Sequence, residues 1–213
     1  MTHYFDEEPA VASEVAVVDV ALPDVAFTMT TDRGVFSHGH LDTGTSLLLR
    51  EAPRPAAAGD LLDLGCGSGA IALTMALRSP SARVWAVDVN ARALELTAAN
   101  AARNTVTIHT ATPDDVPDDV RFATIWSNPP IRIGKPQLQR LLLRWLSRLT
   151  DDGTAVFVVQ KHLGADSLQR WLSEQGYEVE RIASRAGFRL LQVPATSRGV
   201  STHRSSRGVD CDS

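Results

Sequence analysis

Apolar and polar residues alternate in two early segments, Val15-Ala16-Val17-Val18-Asp19-Val20 and Val25-Ala26-Phe27-Thr28-Met29-Thr30, with Pro23-Asp24 between them. Alternation rich in β-branched residues, broken by a turn dipeptide, predicts two strands joined by a turn. A loop from Phe36 to Thr45 then leads into a short leucine-rich helix from about Ser46. From Asp60 the pattern changes. Short apolar runs at Leu61–Leu64, Arg83–Asp88, Val106–His109, Phe122–Trp126 and Ala155–Val159 are separated by segments of helical character. Those segments are Ala70–Leu77, Ala91–Arg103, one with Leu138, Leu141, Leu142, Trp145, Leu146 and Leu149 at helical spacing, closed by Asp152-Gly153, and one with Leu168, Trp171 and Leu172, stopping at Gly176. Two last strands, near Tyr177–Ile182 and Phe188–Val193, are close enough to form a hairpin.

Strands alternating with helices predict an α/β fold. The expected architecture is a Rossmann-like, doubly wound, seven-stranded and mostly parallel sheet with an antiparallel last strand. Residues 1–35 would add an N-terminal β-hairpin extension, and the terminal hairpin an antiparallel edge. A length of 213 residues fits one domain over 1–194. Residues 195–213 have no apolar anchors and are expected to be a disordered polar tail, with Arg198, Arg204 and Arg207 solvated. Two cysteines, Cys66 and Cys211, form no disulfide framework, and the first residues lack a signal peptide's apolar core. A cytoplasmic protein without membrane contact is the expectation. The net charge of −4 argues against a globally basic nucleic-acid binder and leaves room only for a local basic patch.

Three clusters carry candidate chemistry. Asp63-Leu64-Gly65-Cys66-Gly67-Ser68-Gly69 follows the first parallel strand and opens a helix, where ligands of open α/β sheets bind. Its G-x-G-x-G spacing differs from the dinucleotide pattern G-x-G-x-x-G, which fits a ligand with no pyrophosphate. Asp63 either orders this turn or reaches a ligand ammonium group. Asp88, at the tip of the second strand, has the spacing at which a carboxylate meets a ribose diol. Ser127-Asn128-Pro129-Pro130-Ile131 follows the fourth strand. Two prolines stiffen that loop and remove N–H donors, leaving carbonyls exposed. With the Asn128 amide, they can hold the hydrogens of an –NH2 group and free its nitrogen lone pair.

These motifs, together with Gly39-His40-Leu41-Asp42-Thr43-Gly44-Thr45 and Asp88-Val89-Asn90, resemble the small methyltransferase domain of the 16S rRNA guanine methyltransferase group. The resemblance runs from about Tyr4 to Pro194. It implies a class I fold, S-adenosyl-L-methionine as cofactor, and methyl transfer to an exocyclic amino group, with guanine in ribosomal RNA as acceptor and RNA as partner. It implies Asn128, Pro129 and Pro130 as catalytic residues. Asp63, Gly65, Gly67, Gly69, Asp88, Gly44 and Thr45 would bind cofactor, and after the third strand Asp114, Thr112 or a main-chain contact would meet the adenine. Relatives acting on adenine or protein glutamine more often have an aromatic residue after the two prolines, so Ile131 tilts the choice to guanine and leaves Phe36 as the candidate ring beside the base. Lys135 and Lys161 are candidate substrate contacts.

Other acceptors stay open at this point: protein glutamine, adenine or a small molecule, or a non-catalytic cofactor- or RNA-binding module. His38 and His40 are spaced as H-x-H, but no cysteine or acidic cluster completes a metal site, and none is expected. Trp126, Trp145 and Trp171 are expected in the core.

Overall fold

A computed structural model describes residues 14–33, 35, 39–130 and 133–195. Phe36, His38, Ile131, Arg132, Cys211 and the expected tail from 196 onward lie outside these residues. Two strands, β1 (Val15–Ala21) and β2 (Ala26–Asp32), form a separate antiparallel hairpin. The main sheet contains β3 (Asp60–Leu64), β4 (Arg83–Val87), β5 (Ile108–Ala111), β6 (Phe122–Ser127), β7 (Leu149–Gln160), β8 (Glu180–Arg185) and β9 (Phe188–Pro194). Its order is β5-β4-β3-β6-β7-β9-β8, parallel from β5 to β7. The helices are α1 (Thr43–Glu51), α2 (Ala70–Arg78), α3 (Ala91–Arg103), α4 (Lys135–Leu146) and α5 (Ala165–Glu174). The seven-stranded Rossmann-like sheet and its hairpin extension are thus as expected.

Successive side chains of a strand point to opposite faces, and the two cores follow that rule. Leu61, Val84, Ala86, Trp126, Val156 and Val158 pack with α1, α2 and the hairpin residues Val20, Phe27 and Met29. Leu62, Leu64, Ile125, Ala155 and Phe157 pack with α4 and α5 through Leu138, Leu142, Trp145, Leu168 and Leu172. Trp126 and Trp145 are buried core residues, and Trp171 packs at the core's margin. No helix among the described residues is long and apolar enough to cross a membrane.

Three local expectations need correction. The last strand, β9, is antiparallel as expected, but it does not lie at the edge: it inserts between β7 and β8 and pairs antiparallel with both, so the edge strand β8 runs parallel to β7. The apolar residues of β9 explain this: Leu190, Leu191 and Val193 are fully buried, whereas β8 is exposed except at the half-buried Ile182 and Ala183 and is suited to an edge. The helical stripe ends at Leu146, and Leu149 already belongs to β7. Phe122 donates its N–H to the Arg148 carbonyl, which draws the chain into the sheet before Asp152-Gly153. The third parallel strand lies at Ile108–Ala111, two residues beyond the predicted run.

The hairpin is tied down by amide side chains. Asn100 on α3 accepts from the Thr30 N–H (2.7 Å) and donates to the Thr30 carbonyl (2.8 Å), and Asn104 does the same for Thr28 (3.3 and 2.8 Å). Each carboxamide mimics a neighbouring strand's backbone and satisfies the free edge of β2. Asn100 also donates to the Ser68 carbonyl (2.9 Å), joining hairpin and glycine loop.

Candidate active site

The carboxyl ends of β3, β4 and β6 open into one cleft of about 1140 Å³. Its wall comes from the glycine loop after β3 (Gly65, Cys66, Ser68), the end of β4 (Asp88, Val89, Asn90) and the loop after β6 (Asn128, Pro129, Pro130). The hairpin contributes Met29 and Thr31, and the start of α1 contributes Asp42 and Thr45. Sequence-predicted residues from four distant segments therefore meet at one place.

Within the glycine loop, Gly65 donates its N–H to the Val87 carbonyl (2.8 Å) and Gly67 donates to Asp88 Oδ2 (3.0 Å). Gly69 is the N-cap of α2 with φ +85, a left-handed conformation costly for any residue with a Cβ. A Cβ there would also stand 2.8 Å from Thr97 Cγ2 and Oγ1. Gly67 and Gly69 shape the loop from beneath and do not line the cleft. Gly44, inside α1, likewise does not line it; a Cβ there would stand 2.8 Å from Phe188 Cε1. Its role is to let the Phe188 ring settle against the cleft.

Asp63 is completely buried and stays outside the cleft. It accepts from the Ala72 N–H in the first turn of α2 (3.0 Å), while Oδ1 has no partner. Burial pushes its pKa up to about 8, against the Ala72 hydrogen bond and with help from the neighbouring Asp88 charge. Asp63 thus bonds to the first turn of α2 and does not face the cleft. Asp88 accepts from Gly67 N on one oxygen and from Asn90 N on the other (3.0 Å each). Burial raises its pKa, opposed by these backbone donors. Asp88 is half-buried and lines the cleft, so its remaining lone pairs are available to hydroxyl donors. Ser68 lines the same wall with a buried hydroxyl that has no partner.

Asn128 is fixed by two acceptors. Its amide nitrogen donates to Asp42 Oδ2 (2.8 Å) and to Thr45 Oγ1 (3.1 Å). The same Asp42 oxygen caps α1 by accepting from Thr45 N (2.8 Å). Thr45, assigned by resemblance to the cofactor, here holds Asn128. One residue before Asn128, Ser127 donates its hydroxyl to the Leu64 carbonyl (2.6 Å), locking the loop to the end of β3.

Other predicted residues fall outside the cleft. Asp114 is 89% exposed and pairs with Arg144 (2.9 Å). Lys135 begins α4 and Lys161 lies in a 3₁₀ turn, both exposed and off the lining. Residues that were not singled out take these places. Arg140 and Arg144 line the mouth from α4 with Gln137, Leu163 comes from the turn that holds Lys161, and Phe188 supplies a ring. The i, i+4 spacing of Arg140 and Arg144, opposite the stripe of Leu138, Leu142 and Trp145, was the available signal. Nothing local marked Phe188. His40 lines the cleft, and the described residues contain no group suited to hold a metal ion.

The sequence pattern that defines the methyltransferase small domain family matches residues 26–192. The uncharacterized protein YbxB of Bacillus subtilis is 34% identical over 195 residues, covering 90% of this chain and 97% of its own length. A ribosomal RNA small subunit methyltransferase C of Pseudoalteromonas atlantica is 33% identical over 69% of this chain, which spans 44% of that protein. Among solved structures, the T. thermophilus 16S rRNA N2 G1207 methyltransferase, in complex with AdoMet and guanosine, shares the fold with a TM-score of 0.72. That likeness comes at 22% identity and covers 87% of this chain and 52% of the other.

Proposed function

The chain belongs to the methyltransferase small domain family, and from this premise we propose that it transfers a methyl group from S-adenosylmethionine to an exocyclic amino nitrogen, that of guanine in ribosomal RNA. One observation carries the amine assignment. With the Asn128 –NH2 engaged by Asp42 and Thr45, the Asn128 carbonyl oxygen has no partner among the described residues, at a cleft wall continued by two prolines without N–H donors. Such a wall accepts hydrogen bonds and offers none, which selects a substrate that donates them.

The residues fit the cofactor. Asp88 offers a carboxylate to a ribose diol, and the Ser68 hydroxyl, buried at the cleft without a partner, offers a hydrogen bond to a polar amino-acid end. Pro113, Val89 and Leu141 supply apolar surface for a purine. When bound, S-adenosylmethionine supplies an electrophilic methyl carbon. The protein's part is positional: Asn128 and the adjoining carbonyls hold the amino hydrogens and leave the nitrogen lone pair free to form the new bond. The amino proton becomes acidic only as that bond forms, so water suffices to take it.

Three observations support a base in RNA as the acceptor. Phe188 offers the aromatic surface on which a single-stranded base can stack, a role the sequence assigned to Phe36, which lies outside the described residues. Arg140 lines the cleft and places positive charge there despite the acidic net charge, whereas the charge of Arg144 is paired with Asp114. The Pseudoalteromonas and T. thermophilus relatives are named as acting on small-subunit RNA. The test is transfer of labelled methyl groups to fractionated RNA, protein and small molecules, followed by nucleoside analysis. N2-methylguanosine is the expected product. Asn128→Ala should lower the rate by about 100-fold or more, the scale of removing one preorganised transition-state contact. Cofactor affinity should stay within about threefold, a change of roughly 0.6 kcal/mol. Label in protein alone would move the acceptor to glutamine, and label in no fraction would refute the enzyme.

A further inference from the structure

We propose that Asp42 and Thr45 are positioning residues for the transfer: they take up both hydrogens of the Asn128 amide, so that its oxygen is the group presented to the substrate amine. This rests on the amine-transfer function above and adds to it the device that makes the site an acceptor.

A carboxamide has one donor end and one acceptor end, and rotation by half a turn exchanges them. In a cleft that must accept the hydrogens of an amine, the exchanged orientation would be inactive. Asp42 removes that freedom. Its carboxylate accepts only, so turning the Asn128 oxygen towards Asp42 Oδ2, 2.8 Å from the amide nitrogen, would set two electron-rich oxygens against each other. Thr45 Oγ1 takes the second hydrogen at 3.1 Å. Asp42 is itself held in place, because the same Oδ2 receives the Thr45 N–H and the Asp42 carbonyl accepts from Ser46 N (2.7 Å). The N-cap of α1 and the donor end of Asn128 therefore share one carboxylate oxygen.

The arrangement also has an electronic consequence. A carboxylate bonded to the donor end of an amide draws positive charge there and raises electron density on the carbonyl oxygen, since linked hydrogen bonds polarise one another. That oxygen then binds an amine best when its hydrogens become acidic, which is during transfer. Asp42 should accordingly affect turnover more than the affinity for RNA or cofactor. The contact joins residues 86 positions apart and gives the Gly39–Thr45 segment a role besides binding cofactor.

The test uses substitutions that leave the helix cap intact. Asp42→Ser keeps an N-cap oxygen for Thr45 N but is too short to reach Asn128, and Thr45→Val keeps the shape and removes the hydroxyl. Asp42→Asn keeps an oxygen at the shared position without the charge. Turnover of methyl transfer to RNA should fall about 10- to 100-fold in Asp42→Ser and about 10-fold in Thr45→Val, the range for losing a hydrogen bond to a charged or neutral acceptor. Asp42→Asn should recover to within about threefold of wild type, because charge-assisted bonds are roughly twice as strong as neutral ones. The RNA KM, the cofactor Kd and the melting temperature should change little, whereas a purely structural role would move them together. NMR of asparagine-15N-labelled protein provides a readout without turnover. The Asn128 side-chain –NH2 pair, assigned by its loss in Asn128→Ser, should be protected from exchange in wild type and exposed in Asp42→Ser. An unprotected pair in wild type, or turnover in Asp42→Ser and Thr45→Val within twofold of wild type, would overturn the proposal and leave the enzyme assignment intact. A protected pair in a wild-type protein that methylates no amine would overturn both.

Discussion

Asp63 is expected to make the folded protein's stability fall as pH rises through the neutral range. Its carboxyl is fully buried with a single hydrogen bond, from Ala72 N, and its pKa is pushed up to about 8. In the unfolded chain it titrates near the ordinary value of about 3.9. Between those values the folded state holds a proton that the unfolded state has released, so folding takes up a proton and weakens as protons become scarce. Below about pH 4 both states are protonated, and above the folded pKa both are ionised, so the slope is confined to the window between. Within it one group contributes a loss of about 1.4 kcal/mol per pH unit, or roughly 3 kcal/mol from pH 5 to pH 7. For a domain of this size that corresponds to a melting temperature lower by about 6–12 °C. Asp63→Asn keeps an oxygen for Ala72 N and has no proton to take up. Thermal unfolding of cofactor-free wild type and Asp63→Asn, followed by circular dichroism at pH 5, 6, 7 and 8, gives the contribution as their difference. The raised pKa of Asp88 acts in the same direction in both proteins and largely cancels. Wild type should lose its advantage, or fall further behind, with each unit of pH. A difference constant across the range, or one that grows in favour of wild type, would show that Asp63 is ionised in the fold and refute the reasoning.

Asp88→Ala should weaken cofactor binding about 10- to 100-fold by calorimetric titration, the scale of hydrogen bonds to a charged group, and should also lower stability by about 1–3 kcal/mol, because Gly67 N and Asn90 N lose their acceptor. Gly69→Ala combines a left-handed backbone with a Cβ 2.8 Å from Thr97 and should cost about 2–5 kcal/mol, read as a fall in the denaturant midpoint with unchanged slope. Arg140→Glu should weaken RNA binding and lower the salt dependence, the slope of log K against log salt, by roughly one phosphate contact or more, while binding of cofactor alone is unaffected. An unchanged salt slope would remove Arg140 from the RNA path.

Periodicity and turn chemistry act over a few residues, and what depends on them was legible in the chain. The alternation of strands with helices from β3 to β7, broken only between β5 and β6, specified the sheet, because a strand with apolar residues on both faces has to be covered on both. The glycine loop, Asp88 and Asn128-Pro129-Pro130 could be placed together because each follows a strand of that sheet, and parallel strands bring their carboxyl ends to one edge. Direction and distant partnership were decided only in three dimensions. Leu61 and Asp63 share a face, but only packing against α2 determined that this face leads to Ala72 N and away from the cleft. Phe188 reaches the cleft because β9 inserts beside β7, a choice made by burial of Leu190, Leu191 and Val193 over the mostly exposed β8. Asp42 meets Asn128 across 86 positions through the docking of α1 on the sheet, and no local pattern encodes a hydrogen bond between segments that only the assembled core brings together.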